Sequence, residues 1–168
     1  MTSNSNWIEK LNLIPHPEGG FYRETYRADL SLAGTVLGPG FQGSRAVSTA
    51  IYYLLEAGQV LKFHRIRSDE LWHFYDGVPL VIHGLDERKG YFNFRLGRLE
   101  GTVPQVVIPA GVWFAAEIEP GCSDDDFALV GCTVSPGFDF RDFEMAEPHR
   151  LASQFPGQAD LIRRISEK

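Results

Sequence analysis

Cysteine is scarce: Cys122 and Cys132 are the only two in 168 residues, and they form no C-x-x-C pair. That excludes a disulfide-stapled scaffold and a cysteine-built zinc site, and favours free thiols in a reducing compartment. Clustered basic charge is missing too. Lys and Arg number 16 against 22 Asp and Glu, the net charge is −6, and the longest basic feature is Arg163-Arg164. An electrostatic nucleic-acid surface and a polybasic membrane patch are thereby excluded, because both need clustered Lys and Arg. No apolar run approaches the roughly 20 residues of a membrane helix, and MTSNSNWIEK lacks the apolar centre of a signal peptide. The expectation is a soluble cytoplasmic protein without nucleic-acid or membrane partners. Internal repeats, low-complexity tracts, a phosphate-cradling glycine loop and a Gly-x-Ser-x-Gly elbow are absent as well.

What is present is alternation. Phe21 to Arg27, Ala46 to Glu56, Val60 to Ile66, Glu70 to Tyr75, Leu80 to Leu85, Tyr91 to Leu96, Gln105 to Pro109, Trp113 to Ile118 and Phe127 to Val134 read as short strands separated by Gly, Pro or acidic clusters. Near-regular strands with glycine-rich turns predict an all-β antiparallel sandwich or barrel, and a double-stranded β-helix (jelly roll) fits. The length suits one domain over 1–168, with a core over about 8–146 and a polar C-terminal tail over 147–168. Ser5 or Asn6 is expected to cap a short N-terminal helix carrying Trp7, Ile8 and Leu11 that ends before Pro15. The stretch 31–44, rich in Gly and without apolar period, reads as a mobile loop able to act as a lid. Gln158 to Ile165 is weakly helical. Several strands are apolar on both faces, Leu61 and Phe63 opposing Val60 and Ile66, which calls for burial against a second subunit and hence a homodimer.

The stretch Gly58 to Gly77 carries the strongest chemical signal. Read as two strands of one hairpin, it puts Val60, Lys62, His64 and Ile66 on one face of the first and Glu70, Trp72 and Phe74 on one face of the second, so that His64 and Glu70 meet. A buried imidazole serves as general base or metal ligand, or is a satisfied core histidine. A carboxylate facing the same interior must be paired, metal-bound or protonated, and Lys62 is its candidate partner. Alternation turns His73 away from Glu70, and only a β-bulge would bring it in as a third metal ligand. On the first strand Tyr22, Glu24 and Tyr26 share one face, and Phe21, Arg23 and Thr25 the other. Tyr22 and Glu24 are candidate proton donors, and Arg23 a candidate clamp for an anion. His16 and Glu18, beside Gly19 and Gly20, are read as fixing a turn. Trp72, Phe74, Trp113 and Phe114 are candidate pocket wall. Asp124 to Asp126 read as a solvated turn.

Gly58, His64, Glu70 and Gly77 match the first motif of the cupin superfamily, a glycine, five residues, His-x-His, a short gap, Glu, six residues and a glycine, with Ile66 at the second His. Pro109-Ala110-Gly111-Val112-Trp113-Phe114 resembles the second, Pro-x-Gly-x-x-His, with Phe114 at its His. Together with His16 to Tyr26, Ser68 to His73 and Gly131 to Phe138, these stretches resemble the small single-domain cupins catalogued as a domain of unknown function. The resemblance implies a cupin jelly-roll barrel, commonly dimeric, lacking two of the usual four metal ligands. Three activities follow as expectations. The first is a small polar or anionic metabolite bound in the barrel and turned over by a metal-independent epimerase or isomerase, with His64 as base, Tyr22 or Glu24 as acid, and Lys62 or Arg23 holding negative charge. The second is an oxygenase using a divalent metal ion on His64, Glu70 and a bulged His73. The third is a non-enzymatic ligand-binding or storage-type cupin.

Overall fold

The computed structural model describes residues 4–119 and 121–168. In chain order the elements are α1 (Asn4–Leu11), β1 (Ile14–Pro15), β2 (Phe21–Arg27), β3 (Ser31–Leu32), α2 (Gly34–Leu37), β4 (Arg45–Ala46), β5 (Thr49–Glu56), β6 (Val60–Arg65), β7 (Asp69–Gly77), β8 (Leu80–Asp86), β9 (Gly90–Leu96), β10 (Gln105–Ile108), β11 (Trp113–Ile118), β12 (Phe127–Ser135), β13 (Glu144–Met145), α3 (Pro148–Gln154) and α4 (Ala159–Ser166). The expected strands are all present. The one expected over Ala46 to Glu56 is interrupted at Val47 and Ser48, whose backbone instead bonds Leu30 and Ala28. The N-terminal helix already includes Ser5 and Asn6, so neither caps it.

Two antiparallel sheets face each other, ordered β1-β2-β5-β12-β7-β10 and β13-β6-β11-β8-β9. Their inner faces alternate apolar residues, Tyr53, Leu55, Trp72 and Val130 from one and Leu61, Ile82, Phe114 and Ala116 from the other, which interdigitate as the main core. This is a cupin-type jelly roll. One expectation is corrected here: β6 and β7 are not partners in a hairpin but lie in opposite sheets. The chain turns the corner at Ile66 to Ser68, where Ile66 O accepts Gly111 N–H at 2.8 Å, so residues of the two strands face each other across the interior.

The outer faces are covered by the chain's own ends. Val60, Phe63, Leu85, Trp113 and Ala115 pack under Leu151, Phe155, Ile162 and Ile165 of the C-terminal helices. Leu54, Phe127 and Leu129 pack under Trp7, Ile8, Leu11 and Leu13. The apolar outer face of β6, from which a second subunit was inferred, is therefore covered within the chain. Of the tail only α4 was legible; α3 was not, because it carries few apolar residues, although Pro148 at its start and Glu147 accepting the His149 and Arg150 N–H groups form a regular N-terminus. Buried Glu117 anchors α4, taking Arg164 in two bonds of 2.6 Å and His83 at 3.1 Å. The stretch 31–44 is not an unstructured loop. It holds β3 and α2, and its carbonyls at Gln42, Gly43 and Ser44 accept from the Arg45 guanidinium.

Ile162 is 1% exposed, so Ile162→Ala is expected to cost about 2–5 kcal/mol in urea unfolding. Exposed Arg163→Ala should stay within about 0.5 kcal/mol. Equal effects would contradict docking of α4 on the sheet.

Candidate functional site

Two β-bulges select what faces the interior. On β6, Leu61 pairs with Ala116 and His64 with Phe114, so Lys62 and Phe63 together oppose Ala115. Leu61 and His64 thereby share the inner face, while Lys62 swings outward and its Nζ reaches Ser166 O at 3.4 Å. On β2, Glu24 pairs with Ile51 and Tyr26 with Ala50, which leaves Thr25 as the extra residue. Tyr22, Glu24 and Arg27 then line the interior, and Tyr26 is exposed. At this end of the sandwich lies a cavity of about 380 Å³.

Glu18 enters the cavity from the turn before β2. Gly19 has φ 108°, and a Cβ there would collide with Val60 O. Only glycine lets the turn lie this close to β6, where Lys62 N–H reaches Glu18 O at 3.4 Å and Tyr53 O–H donates to Gly19 O at 2.8 Å. The Glu18 side chain is 4% exposed, and its Oε2 lies 3.3 Å from His64 Nδ1. His64 Nδ1 also lies 2.8 Å from Lys62 O, a carbonyl that can only accept, so Nδ1 carries the proton and Nε2 keeps its lone pair. His16 Nδ1 accepts Glu18 N–H at 3.2 Å.

Burial sets the protonation states. Glu18 is pushed up to about 8, first by desolvation and then by the Glu70 charge. Desolvation pushes Glu70 up to about 7; the Cys132 thiol and the Trp72 indole draw it back toward ionisation. Trp72 Nε1 is fully buried and, among the described residues, makes no hydrogen bond of full geometry, its interaction being the one with Glu70. His64 and His16 are each held down to about 4 by burial. At neutral pH the cavity thus contains a protonated carboxyl beside an unprotonated imidazole.

Of the residues expected at the site, His64, Glu70, Tyr22, Glu24 and Trp72 line this cavity. The others do not. Lys62 is under α4, so it cannot pair with Glu70. Arg23 faces outward and donates to Leu11 O at 3.1 Å. His73 contacts Thr133 Oγ1 at 3.3 Å on the outer face of β7, and the only register shift between β7 and β12 falls beyond Phe74. Phe74 and Phe114 are inter-sheet core, Phe114 packing on His64 with ring centroids 4.2 Å apart. Trp113 points outward under the Arg65 guanidinium. Sequence reasoning left Glu18 as a turn residue and passed over Arg27, which holds Glu24 at 2.6 Å. The acid beside paired glycines was a signal for Glu18; nothing in the alternation signalled Arg27.

The donor set does not suit a cupin metal centre. Ile66 and Phe114 place hydrocarbon where two ligands would stand, His73 faces away, and among the described residues no three His, Cys, Asp or Glu converge at metal-binding spacing.

Fold and cavity together define a cupin. The family model described as Cupin superfamily (DUF985) matches residues 5–146, and the chain belongs to that family. It is 31% identical over 153 residues to a Saccharomyces cerevisiae protein described as Uncharacterized protein YML079W, covering 80% of this chain and 71% of that one. Among solved structures it is similar to protein SO0799 from Shewanella oneidensis, at 34% identity, TM-score 0.84 and 98% of each chain. A hypothetical protein from Leishmania major is similar at 31% identity and TM-score 0.85, over 96% of this chain and 97% of that one.

The raised carboxyl groups fix a sign. Between about 4.5 and about 8 the native state holds the Glu18 proton while the unfolded chain has lost it, so stability falls as pH rises through that window. The histidines act oppositely, but only below 6.5. Thermal unfolding is expected to show the native protein losing stability from pH 6.5 to about 9, with Glu18→Gln and Glu70→Gln each flattening that decline. Parallel profiles for wild type and both variants would contradict the assigned burial.

Proposed function

We propose that the cavity binds a small, uncharged polar metabolite of sugar type and moves a proton on it without a metal, as epimerases and isomerases do. The observation that carries this reading is the 3.3 Å approach of the Glu18 carboxyl to His64, an acid and a base that burial holds in complementary forms at neutral pH. His64 Nε2 takes the proton from the carbon beside a substrate carbonyl, the electron pair moves into that carbonyl, and Glu18 supplies the proton its oxygen gains. The imidazolium and carboxylate then stand 3.3 Å apart and stabilise each other until the proton returns on either face. Glu70 and Tyr22 orient hydroxyl groups. An anionic substrate is disfavoured: Lys62 and Arg23 lie elsewhere, and Arg27 is spent on Glu24 and on Phe138 O. Two free cysteines, Cys122 and Cys132, suit a reducing compartment such as the cytoplasm.

The test is deuterium uptake at carbon, read by proton NMR, for a panel of aldoses, ketoses and their deoxy derivatives in D₂O. Exchange is expected to be level between about pH 4 and about pH 8 and to fall above that as Glu18 ionises. His64→Ala and Glu18→Gln should each slow it by about 100-fold or more while line-broadening still reports binding. A compound that binds but never exchanges would favour the ligand-binding reading, and exchange undiminished in both variants would remove the assigned roles.

A further inference from the structure

The corner between β6 and β7 forms one wall of a second cavity of about 580 Å³, and Ile66 lines both cavities. Pro39 and Phe41 reach it from the stretch after α2, and the segment from Arg141 to Glu144 closes the far side. Its lining carries Arg65, Arg67 and Arg141 against Asp142 and Glu144. Asp142 holds Arg45 in a two-pronged pair of 2.6 and 2.7 Å, both side chains buried. Glu144 holds Arg65 at 2.7 Å, and Asp139 holds Arg141 at 2.7 and 2.8 Å. Each of these three acids thus has its own arginine, and Arg67 is the remainder. Among the described residues its one charged contact is Asp142 Oδ1, which already accepts from Arg45 Nη2, at 4.0 Å, and its side chain is 53% exposed.

Gly40, at φ 111°, lies beside the Arg67 guanidinium, and a Cβ there would come within 2.9 Å of Nη1. Backbone donors at the opposite wall are spent, Gly111 N–H on Ile66 O and Ala110 N–H on Asp69 Oδ1, each at 2.8 Å, so recognition there falls to guanidinium groups. Arg141 adds to Arg67: three of its five N–H groups are engaged, by Asp139 and Gln42 O, and two are left.

We propose that this second cavity binds the phosphate group of a small phosphorylated metabolite, with Arg67 as its principal contact and Arg141 as the second. A pair at 4.0 Å whose arginine is half-exposed and whose acid is already committed to Arg45 contributes little and yields readily to a dianion. Two guanidinium groups approaching from different elements suit a tetrahedral anion better than a flat carboxylate. The volume beyond one phosphate leaves room for the organic part of the ligand.

The experiment is calorimetric titration of the full chain with inorganic phosphate at low ionic strength, with acetate as the planar comparison. Saturable binding of one phosphate per chain is expected, at least tenfold tighter than acetate, weakened at least tenfold by Arg67→Ala and less by Arg67→Lys, and unchanged by Arg23→Ala. Absence of saturable phosphate binding, equal affinity for acetate, or indifference to Arg67→Ala would overturn the proposal. Arg67 is half-exposed, and unfolding midpoints within error of wild type will show that the variants fold.

Discussion

His64 Nδ1–H donates a hydrogen bond to the carbonyl of Lys62, 2.8 Å away and within the bulge that turns His64 inward. The bulge and the bond sustain each other: the extra residue sets the ring on the interior face, and the carbonyl fixes its tautomer. Were β6 regular from Val60, which faces outward, Lys62 and His64 would face outward with it, and Phe63 would stand in the interior in place of the imidazole. The bulge at Thr25 works similarly on β2, keeping Glu24 inward and bringing Arg27 in where Tyr26 would have been. Both departures from a period of two decide which polar group the cavity receives, not merely its shape.

Burial then does the chemistry. Glu18 and Glu70 are buried acids with no cation among the described residues close enough to keep them ionised, so desolvation favours the protonated form. The outer face shows the opposite balance. Desolvation at Glu117 is outweighed by Arg164 and His83, and the carboxyl is held down to about 2. One sheet therefore carries a carboxylate that locks a helix on one side and walls the cavity of Glu18 on the other, and what separates Glu117 from Glu18 is the guanidinium beside it.

Alternation made the strands legible, since a half-buried pleat writes its two faces into successive residues. It placed Glu70 and Trp72 correctly because β7 is regular from Asp69 to Phe74. It misplaced Lys62 and Arg27 because a bulge leaves no mark in composition: Lys62-Phe63 and Thr25 are ordinary strand residues. The corner at Ile66 to Ser68 read as a hairpin turn because connection length alone does not say which sheet the next strand joins. The apolar face of β6 was legible, but its cover was not, since α3 and α4 bury only a few residues each and read as polar tail. Glu18 was visible as part of a glycine turn, yet its burial depends on Gly19 lying against β6, a contact between segments about 40 residues apart.

The account rests on a carboxyl group at Glu18 that stays protonated at neutral pH beside an unprotonated His64. Carbon-13 NMR of protein labelled at the glutamate carboxyl, titrated from acid to alkaline pH with Glu18→Gln to assign the signal, measures this directly. The account predicts a resonance absent from the variant that titrates near 8, well clear of the surface glutamates. A Glu18 signal that titrates with the surface glutamates near 4.5 would mean that the carboxyl is ionised in the cavity and would contradict the assigned acid and base.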